Sequence, residues 1–217
     1  MLFSWTKNNV AVGFVVGERW LTSAWLIGYK SRRNRKGNSI LADRQSTKVV
    51  MLCQRPIYTH NHMSLAELIS SNLNQVILKT TPIPMIKKPF VSLQLPERLY
   101  ETLIVEKPNT LKLTGQWAAA ALADAGYNLN EWRWDVCLQG SACVFLLVKM
   151  VDLHHYLQPL NKAGCVPNAV SYINPERLVS LDNHLAPQYT GMTVLPDPIA
   201  AKQAVCLAAT GLGYIYA

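Results

Sequence analysis

Features that would place this chain in several common functional classes are missing from its sequence. No apolar run reaches the roughly 18 residues that a membrane-spanning helix needs. The N-terminus, residues 1–7, lacks the basic region followed by a long apolar segment that makes a signal peptide. The five cysteines include no Cys-x-x-Cys pair and lie beside apolar residues, which favours reduced core thiols over disulfides or zinc. These absences predict a cytoplasmic protein without a structural metal.

Acidic residues are scarce in the first part of the chain. Residues 1–60 carry ten Lys and Arg against two Asp and Glu, whereas residues 61–217 carry eleven of each kind. The densest basic segment consists of Lys30, Arg32, Arg33, Arg35 and Lys36. This pattern indicates either a solvated turn or a contact with an anionic membrane surface. We expect no nucleic acid partner, because the segment has no interleaved aromatic residues and no recognition helix is predicted.

The first third of the chain reads as strands followed by a helix. Two Val-rich and Trp-rich runs on either side of Gly17 predict a hairpin, and residues 48–53 predict a third strand. Ser64 followed by Glu67 is a capping-box pattern, and apolar residues then repeat at helical spacing as far as Ile77. Residues 90–95 predict the next strand.

The middle of the chain, residues 97–173, predicts the order β-α-β-β-α-β. Its strands are expected at 101–106, 131–138, 142–148 and 166–172, and its helices at 113–125 and 154–162. Gly126 and Gly164 stand where helices end in a left-handed residue, and Asp152 is the expected N-cap of the second helix. Near the C-terminus, Asp197 and Pro198 predict the start of a last helix that is apolar on most sides and therefore buried against a sheet.

This succession resembles the PilM family of type IV pilus assembly proteins, which includes short forms such as HofM and MshI and is related to the actin-like protein FtsA. The matching features are Val91 to Pro96, the aromatic-rich strand that ends in Asp135, and the closing residues Lys162, Gly164 and Pro167. The resemblance covers residues 8–180 and lies in order and spacing. It implies an α/β fold with an actin-like core, residues 1–96 and 174–217, an inserted β-α-β-β-α-β subdomain, residues 97–173, and no second lobe.

Actin-like ATPases hold the nucleotide phosphates on their first hairpin through Gly-x-Asp-x-Gly. The matching positions here are Gly13, Val15 and Gly17, so that a valine replaces the acid. Valine offers neither a charge nor a hydrogen bond to a hydrated metal ion. The second phosphate loop would fall in residues 174–197, where Gly191 is the single glycine. We therefore expect turn and packing glycines, no ATP binding and no cofactor.

Other side-chain groups do not complete a catalytic or metal site. His60 and His62 have the spacing of two metal ligands on one strand face, but no Cys or acid cluster lies nearby. Asp152 precedes His154 and His155, yet no nucleophile motif accompanies them. The sequence predicts no catalytic residue.

The resemblance implies a non-enzymatic scaffold of type IV pilus biogenesis, for an MSHA-like or competence pilus, at the cytoplasmic face of the inner membrane. In PilM-like systems such a protein binds the N-terminal tail of a PilN-type single-pass membrane protein in a cleft between core and insert. For this chain the cleft is expected near Leu93, Leu95 and Pro96, where the core strand leads into the insert. The alternative is a nucleotide-dependent switch or an enzyme that uses an unrecognised site.

Overall fold

The computed structural model describes residues 10–28, 47–57, 64–79, 89–106, 114–173 and 197–211. The chain forms two compact units. We call Met1–Leu95 with Ala163–Ala217 the core unit, and Pro96–Lys162 the insert unit. In chain order the elements are β1 (Val10–Val16), β2 (Trp20–Gly28), β3 (Thr47–Pro56), α1 (Leu65–Lys79), β4 (Phe90–Gln94), a 3-10 turn (Glu97–Leu99), β5 (Tyr100–Glu106), α2 (Gly115–Asp124), β6 (Trp132–Gln139), β7 (Ala142–Lys149), α3 (Met150–Lys162), β8 (Ala169–Val170) and α4 (Pro198–Gly211).

The described strands of the core unit form one mixed sheet in the order β3-β2-β1-β4-β8. β1, β2 and β3 are antiparallel neighbours, as the predicted hairpin and third strand require. β4 runs parallel to β1, and β8 runs parallel to β4. β1 and β4 therefore lie inside the sheet, which accounts for the continuous apolar sequence of β1.

Helix α4 covers one face of the core sheet. Its side chains share a buried cluster with Ala11 and Val15 of β1 and with Ala24 of β2. Asp197 caps the helix, because its Oδ1 accepts the backbone N–H of Ile199 at 3.0 Å. The predicted start of this helix and its burial against the sheet are both confirmed.

Helix α1 begins at the predicted capping box. Ser64 N–H donates to Glu67 Oε2 at 2.7 Å, and Glu67 N–H donates to Ser64 Oγ at 3.3 Å. The first of these bonds lowers the pKa of the Glu67 carboxyl below its usual value. In β3, Gln54 accepts from Asp197 N–H at the start of α4, whereas the next residue, Arg55, donates to Ser71 of α1. Because successive strand residues point to opposite faces, α1 and α4 lie on opposite faces of the sheet.

The insert unit is a three-stranded antiparallel sheet, in the order β5-β7-β6, with α2 packed on one face. Ala118 and Leu122 of α2 are buried against Phe145 and its neighbours in β7. Thr114 caps α2, since its Oγ1 accepts the N–H of Trp117 at 3.2 Å. Gly126, which follows this helix, has a φ of 89°. The predicted left-handed ending is therefore confirmed.

The last strand of the predicted β-α-β-β-α-β order lies in the core sheet. β8 pairs with β4, where Asn168 N–H donates to Val91 O at 2.8 Å and Asn168 Oδ1 accepts Val91 N–H at 2.8 Å. Ser171 N–H continues the pairing by donating to Leu93 O at 2.9 Å. Residues 163–173 thus group with the core unit, whereas the sequence grouped them with the insert. Because β4 and β8 are far apart in sequence, no short sequence pattern indicates that they pair.

The N-cap role predicted for Asp152 is wrong. α3 begins at Met150, directly after β7, and the N–H of Met150 donates to Glu131 O at 2.7 Å. Asp152 lies inside the first turn of the helix, where a carboxylate still favours the positive end of the helix dipole. Gly164 ends the helix region with a φ of 72°, as predicted.

Candidate functional site

The hairpin that would bind phosphate in an actin-like ATPase is closed by core packing. Val15 is 6% exposed and belongs to the apolar cluster beneath α4, together with Ala204 and Leu207. A carboxylate at this position would be buried among aliphatic side chains rather than exposed to a metal hydrate. The replacement of the acid by valine therefore fits the packing of this fold.

Gly13 is a packing glycine. A Cβ at this position would collide with the carbonyl oxygen of Ala204 and would lie 2.7 Å from the backbone nitrogen of Ala208. The backbone of α4 thus occupies the space directly above β1. No phosphate can approach the strand from this face without displacing the helix.

The backbone N–H of Gly17 forms a hydrogen bond within the turn between β1 and β2. Gly17 N–H donates to Trp20 O at 2.8 Å, and Arg19 O accepts Ile57 N–H at 2.9 Å. Phosphate loops bind anions through free backbone N–H groups. The N–H of Gly17, in contrast, already has a partner within the hairpin formed by β1 and β2, and we call this arrangement, with Gly13 and Val15 beneath α4, the closed hairpin.

The described side chains that could act as nucleophiles or metal ligands are few and dispersed. No group of three metal-ligating residues occurs in the described part of the chain. His154 and His155 are exposed on α3, and His60 and His62 lie outside the described residues. Burial raises the pKa of the Cys206 thiol to about 11, against a smaller lowering effect of Lys202, so this thiol stays protonated near neutral pH.

All five cysteines are free thiols, of which two are buried, two are half-buried and one is exposed. Cys143 and Cys206 are buried, as expected, whereas Cys137 is exposed. Cys137 follows Val136 in β6, and Val136 packs towards α2. Strand alternation therefore turns Cys137 to the opposite face of the insert sheet. The expectation of a core thiol is wrong at this position.

The residues predicted to line a peptide cleft are core residues in this structure. Leu93 is 1% exposed, Leu95 is fully buried, and Pro96 is buried. The reason is the position of β4, which lies between β1 and β8 in the sheet. The side chains are therefore covered in the free chain, and the cleft itself stays a prediction. The basic segment, Lys30 to Lys36, lies outside the described residues.

Two glutamines that the sequence reading passed over hold the chain where it leaves β8. Ile173 N–H donates to Gln94 Oε1 at 2.9 Å, and Gln203 Nε2 donates to Ile173 O at 2.8 Å. Both glutamines are buried. A polar residue in the largely apolar sequences of β4 and α4 could have indicated a buried hydrogen bond at each position. The two glutamines fix the backbone of Ile173, three residues beyond the end of β8.

No helix in the described ranges is long and apolar enough to cross a membrane. No family model matches the sequence, and no curated protein matches it. Among solved structures, the chain is similar to a chain of the PilM–PilN type IV pilus biogenesis complex, with 17% identity, a TM-score of 0.51, and coverage of 81% of this chain and 51% of the other. This chain therefore spans about half the length of the protein it matches.

Two further solved structures are similar over most of this chain. One is the cytoplasmic domain of EpsL, an inner membrane component of the type II secretion system of Vibrio cholerae, with 12% identity, a TM-score of 0.43, and coverage of 78% and 58% of the two chains. The other is a Bacteroides thetaiotaomicron protein with an actin-like ATPase fold and unknown function, with 8% identity, a TM-score of 0.34, and coverage of 83% and 59%.

The likeness to the PilM chain concerns the fold. The predicted fold class, an α/β protein with a partial actin-like core and an insert, is confirmed. The resemblance to PilM holds at this level, and the assignment to short forms such as HofM and MshI stays a prediction.

Proposed function

We propose that this chain is a non-enzymatic scaffold in the assembly of a type IV pilus or a related secretion machine. Its partner is the N-terminal cytoplasmic tail of a PilN-type single-pass inner-membrane protein. The observation that carries the proposal is the closed hairpin, in which Val15 lies beneath α4 and Gly17 N–H bonds within the turn. The fold shared with a chain of a PilM–PilN complex supports the class of partner.

A nucleotide-driven step has little support in the closed hairpin. Binding of Mg-ATP needs an acid that orients the hydrated metal and free N–H groups that face the phosphates. At the matching positions the chain has Val15 in an apolar cluster and a satisfied N–H at Gly17. Reopening the site requires displacement of α4, which buries most of its residues against the sheet.

An extended tail suits a protein of this kind. A flexible segment can form main-chain hydrogen bonds with a sheet while a few side chains enter apolar pockets. Because the tail is ordered only on binding, we expect micromolar affinity for an isolated peptide. Attachment of the partner to the membrane raises its effective concentration. The basic segment, Lys30 to Lys36, adds a weak contact with anionic lipid and places the protein at the inner face of the membrane.

Co-expression with single-pass proteins from neighbouring genes tests this function. We expect the full-length partner to retain the chain in the inner-membrane fraction, and a partner without its cytoplasmic tail to release it. A partner with a scrambled tail of the same composition is the matched control, because it keeps the charge and the membrane helix. Membrane retention that is equal with all three partners would remove the proposed partner class.

A further inference from the structure

The pairing of the insert sheet shows which backbone groups point away from the sheet at its two edges. In an antiparallel pair, alternate residues turn both backbone groups towards the neighbouring strand. On β6, the N–H of Val136 points outward and bonds to the carboxylate of Asp135 at 2.8 Å, and Glu131 O accepts from Met150 across the ladder. The odd-numbered residues of β6 therefore direct their backbone N–H and C=O groups towards β7. The N–H of Val136 on this edge is satisfied by a side chain of its own strand.

The same alternation shows which groups of β5 point outward. Leu146 of β7 directs its backbone groups towards Asp135 of β6. The backbone groups of its neighbours Phe145 and Leu147 therefore point towards β5. They pair with Leu103 and Glu101, so Thr102 and Ile104 turn their N–H and C=O groups away from the sheet.

In the described residues, the β5 edge lacks the bulge, proline and lysine that protect many edge strands, and its charged residues are the acids Glu101 and Glu106. Its pairing with β7 is continuous from Tyr100 to Glu106. Tyr100 N–H bonds to Glu97 O, but within the described residues the outward groups of Thr102 and Ile104 have no hydrogen-bond partner. A regular edge with unpaired backbone groups is a template for another strand.

An apolar row lies beside this edge on the sheet face opposite α2. Ile104 is 65% exposed, pairs with Val144 of β7, and through it neighbours Cys137 of β6. A strand added to β5 would place one of its side chains next to Ile104. The row thus offers a contact for one apolar side chain of a partner.

The charge of the edge favours a basic partner. Residues 97–106 contain three glutamates and one arginine, and Glu101 and Glu106 are exposed on β5. Glu101 also accepts a hydrogen bond from Tyr127 Oη at 3.4 Å. A second copy of β5 would bring the same acids against these, whereas cytoplasmic segments next to a membrane helix are rich in Lys and Arg. Charge complementarity therefore selects a membrane protein's tail over a second copy.

We propose that β5 is the docking strand for the cytoplasmic tail of a single-pass inner-membrane protein. The tail adds to the insert sheet as a fourth strand, pairs with the outward groups of Thr102 and Ile104, and packs an apolar side chain beside Ile104. Its Lys or Arg residues lie near Glu101 and Glu106. This inference rests on the proposed function and specifies where the partner binds.

Backbone substitution and hydrogen exchange test the site in the full chain, with synthetic tail peptides of neighbouring single-pass proteins as the probe. Thr102→Pro removes an outward N–H and leaves the ladder to β7 intact. We expect it to weaken peptide binding about tenfold. Leu138→Pro, at an outward position of β6, is the matched control and should leave the affinity unchanged. With the bound peptide, the amides of Thr102 and Ile104 should exchange more slowly, and that of Trp134 should not.

Two further variants keep the test valid if Thr102→Pro does not fold. Ile104→Thr retains a β-branched residue, and we expect several-fold weaker binding because apolar contact is lost. Glu106→Gln should weaken binding at low salt only, since exposed charges are screened at high salt. Circular dichroism of each variant reports its folding.

The outcomes separate this inference from the proposed function. If the wild type binds a tail but protection appears away from β5 and the variants bind normally, the docking strand is wrong and the scaffold function stands. If no tail binds the wild type, the proposed function fails. If the amides of β5 exchange more slowly at higher protein concentration without any peptide, the edge joins two copies of this chain. The inference is then overturned.

Discussion

Gly13 of β1 lies directly beneath Ala204 of α4, so closely that no Cβ fits between strand and helix. This contact lets the backbone of α4 rest on the sheet and brings Val15 into the core. The same contact closes the hairpin at which actin-like ATPases bind phosphate. The packing of α4 and the closed form of the hairpin thus follow from one arrangement.

Gly13→Ala should lower the free energy of unfolding by about 3 kcal/mol, because overpacking at a backbone contact forces the helix to move. Gly115→Ala is the matched control. No atom lies within 4 Å of a Cβ at Gly115, and alanine is the better helix former. We expect the control to be neutral or slightly stabilising. Urea unfolding of the two variants checks this, and equal destabilisation would show that α4 does not rest on β1.

Val15→Asp should not create a nucleotide site. It introduces a carboxylate into an apolar cluster, and we expect it to destabilise the protein by about 3 kcal/mol or more. Neither the wild type nor the variant should be stabilised by Mg-ATP in a thermal-shift assay. A true ligand at a hundred times its dissociation constant would add about 2.7 kcal/mol. Stabilisation of the wild type by Mg-ATP would move the nucleotide-dependent switch ahead of the scaffold.

Local chemistry allowed parts of this fold to be predicted from sequence. The capping box of Ser64 and Glu67, the N-cap at Asp197 and the left-handed glycines depend on contacts within a few residues. Each leaves a short pattern in the chain because the interacting groups are close in sequence. The hairpin of β1 and β2 follows for the same reason.

Long-range pairing could not be predicted in the same way. β8 joins β4 through Asn168 and Val91, which are 77 positions apart, so its place in the core sheet had no local signal. The same pairing makes β4 an inner strand, so the burial of Leu93 had no local signal either. Asp152 misled the prediction because β7 runs straight into α3, which moves the helix start to Met150. The role of the β5 edge depends on which backbone groups point outward.

Thiol reactivity should follow the observed burial. Cys137 is exposed and should react rapidly with a thiol reagent at pH 8 in the native protein. Cys206 should react only on unfolding, because it is buried and its pKa is raised to about 11. Mass spectrometry of labelled peptides checks the order of reaction, and Cys137→Ser should remove the fast phase. Rapid labelling of Cys206 in the native state would show that α4 opens readily.

The basic segment should give salt-sensitive attachment to anionic vesicles. Each cation near a charged leaflet contributes about 1 kcal/mol, and the attraction decays over a Debye length of about 10 Å at 0.1 M salt. We expect co-sedimentation at low salt, and its loss when five residues are changed to Gln. These are Lys30, Arg32, Arg33, Arg35 and Lys36. Unchanged sedimentation of this variant would leave the segment as a solvated turn.

The central claim is that this chain binds the tail of a single-pass membrane protein, and a calorimetric titration of tail peptides into the purified chain tests it most directly. We predict saturable one-to-one binding with a micromolar Kd for the tail of one neighbouring single-pass protein, with the same affinity in the presence of Mg-ATP. A scrambled tail should not bind. The absence of binding by every such tail, under conditions in which the protein is folded, would contradict the account.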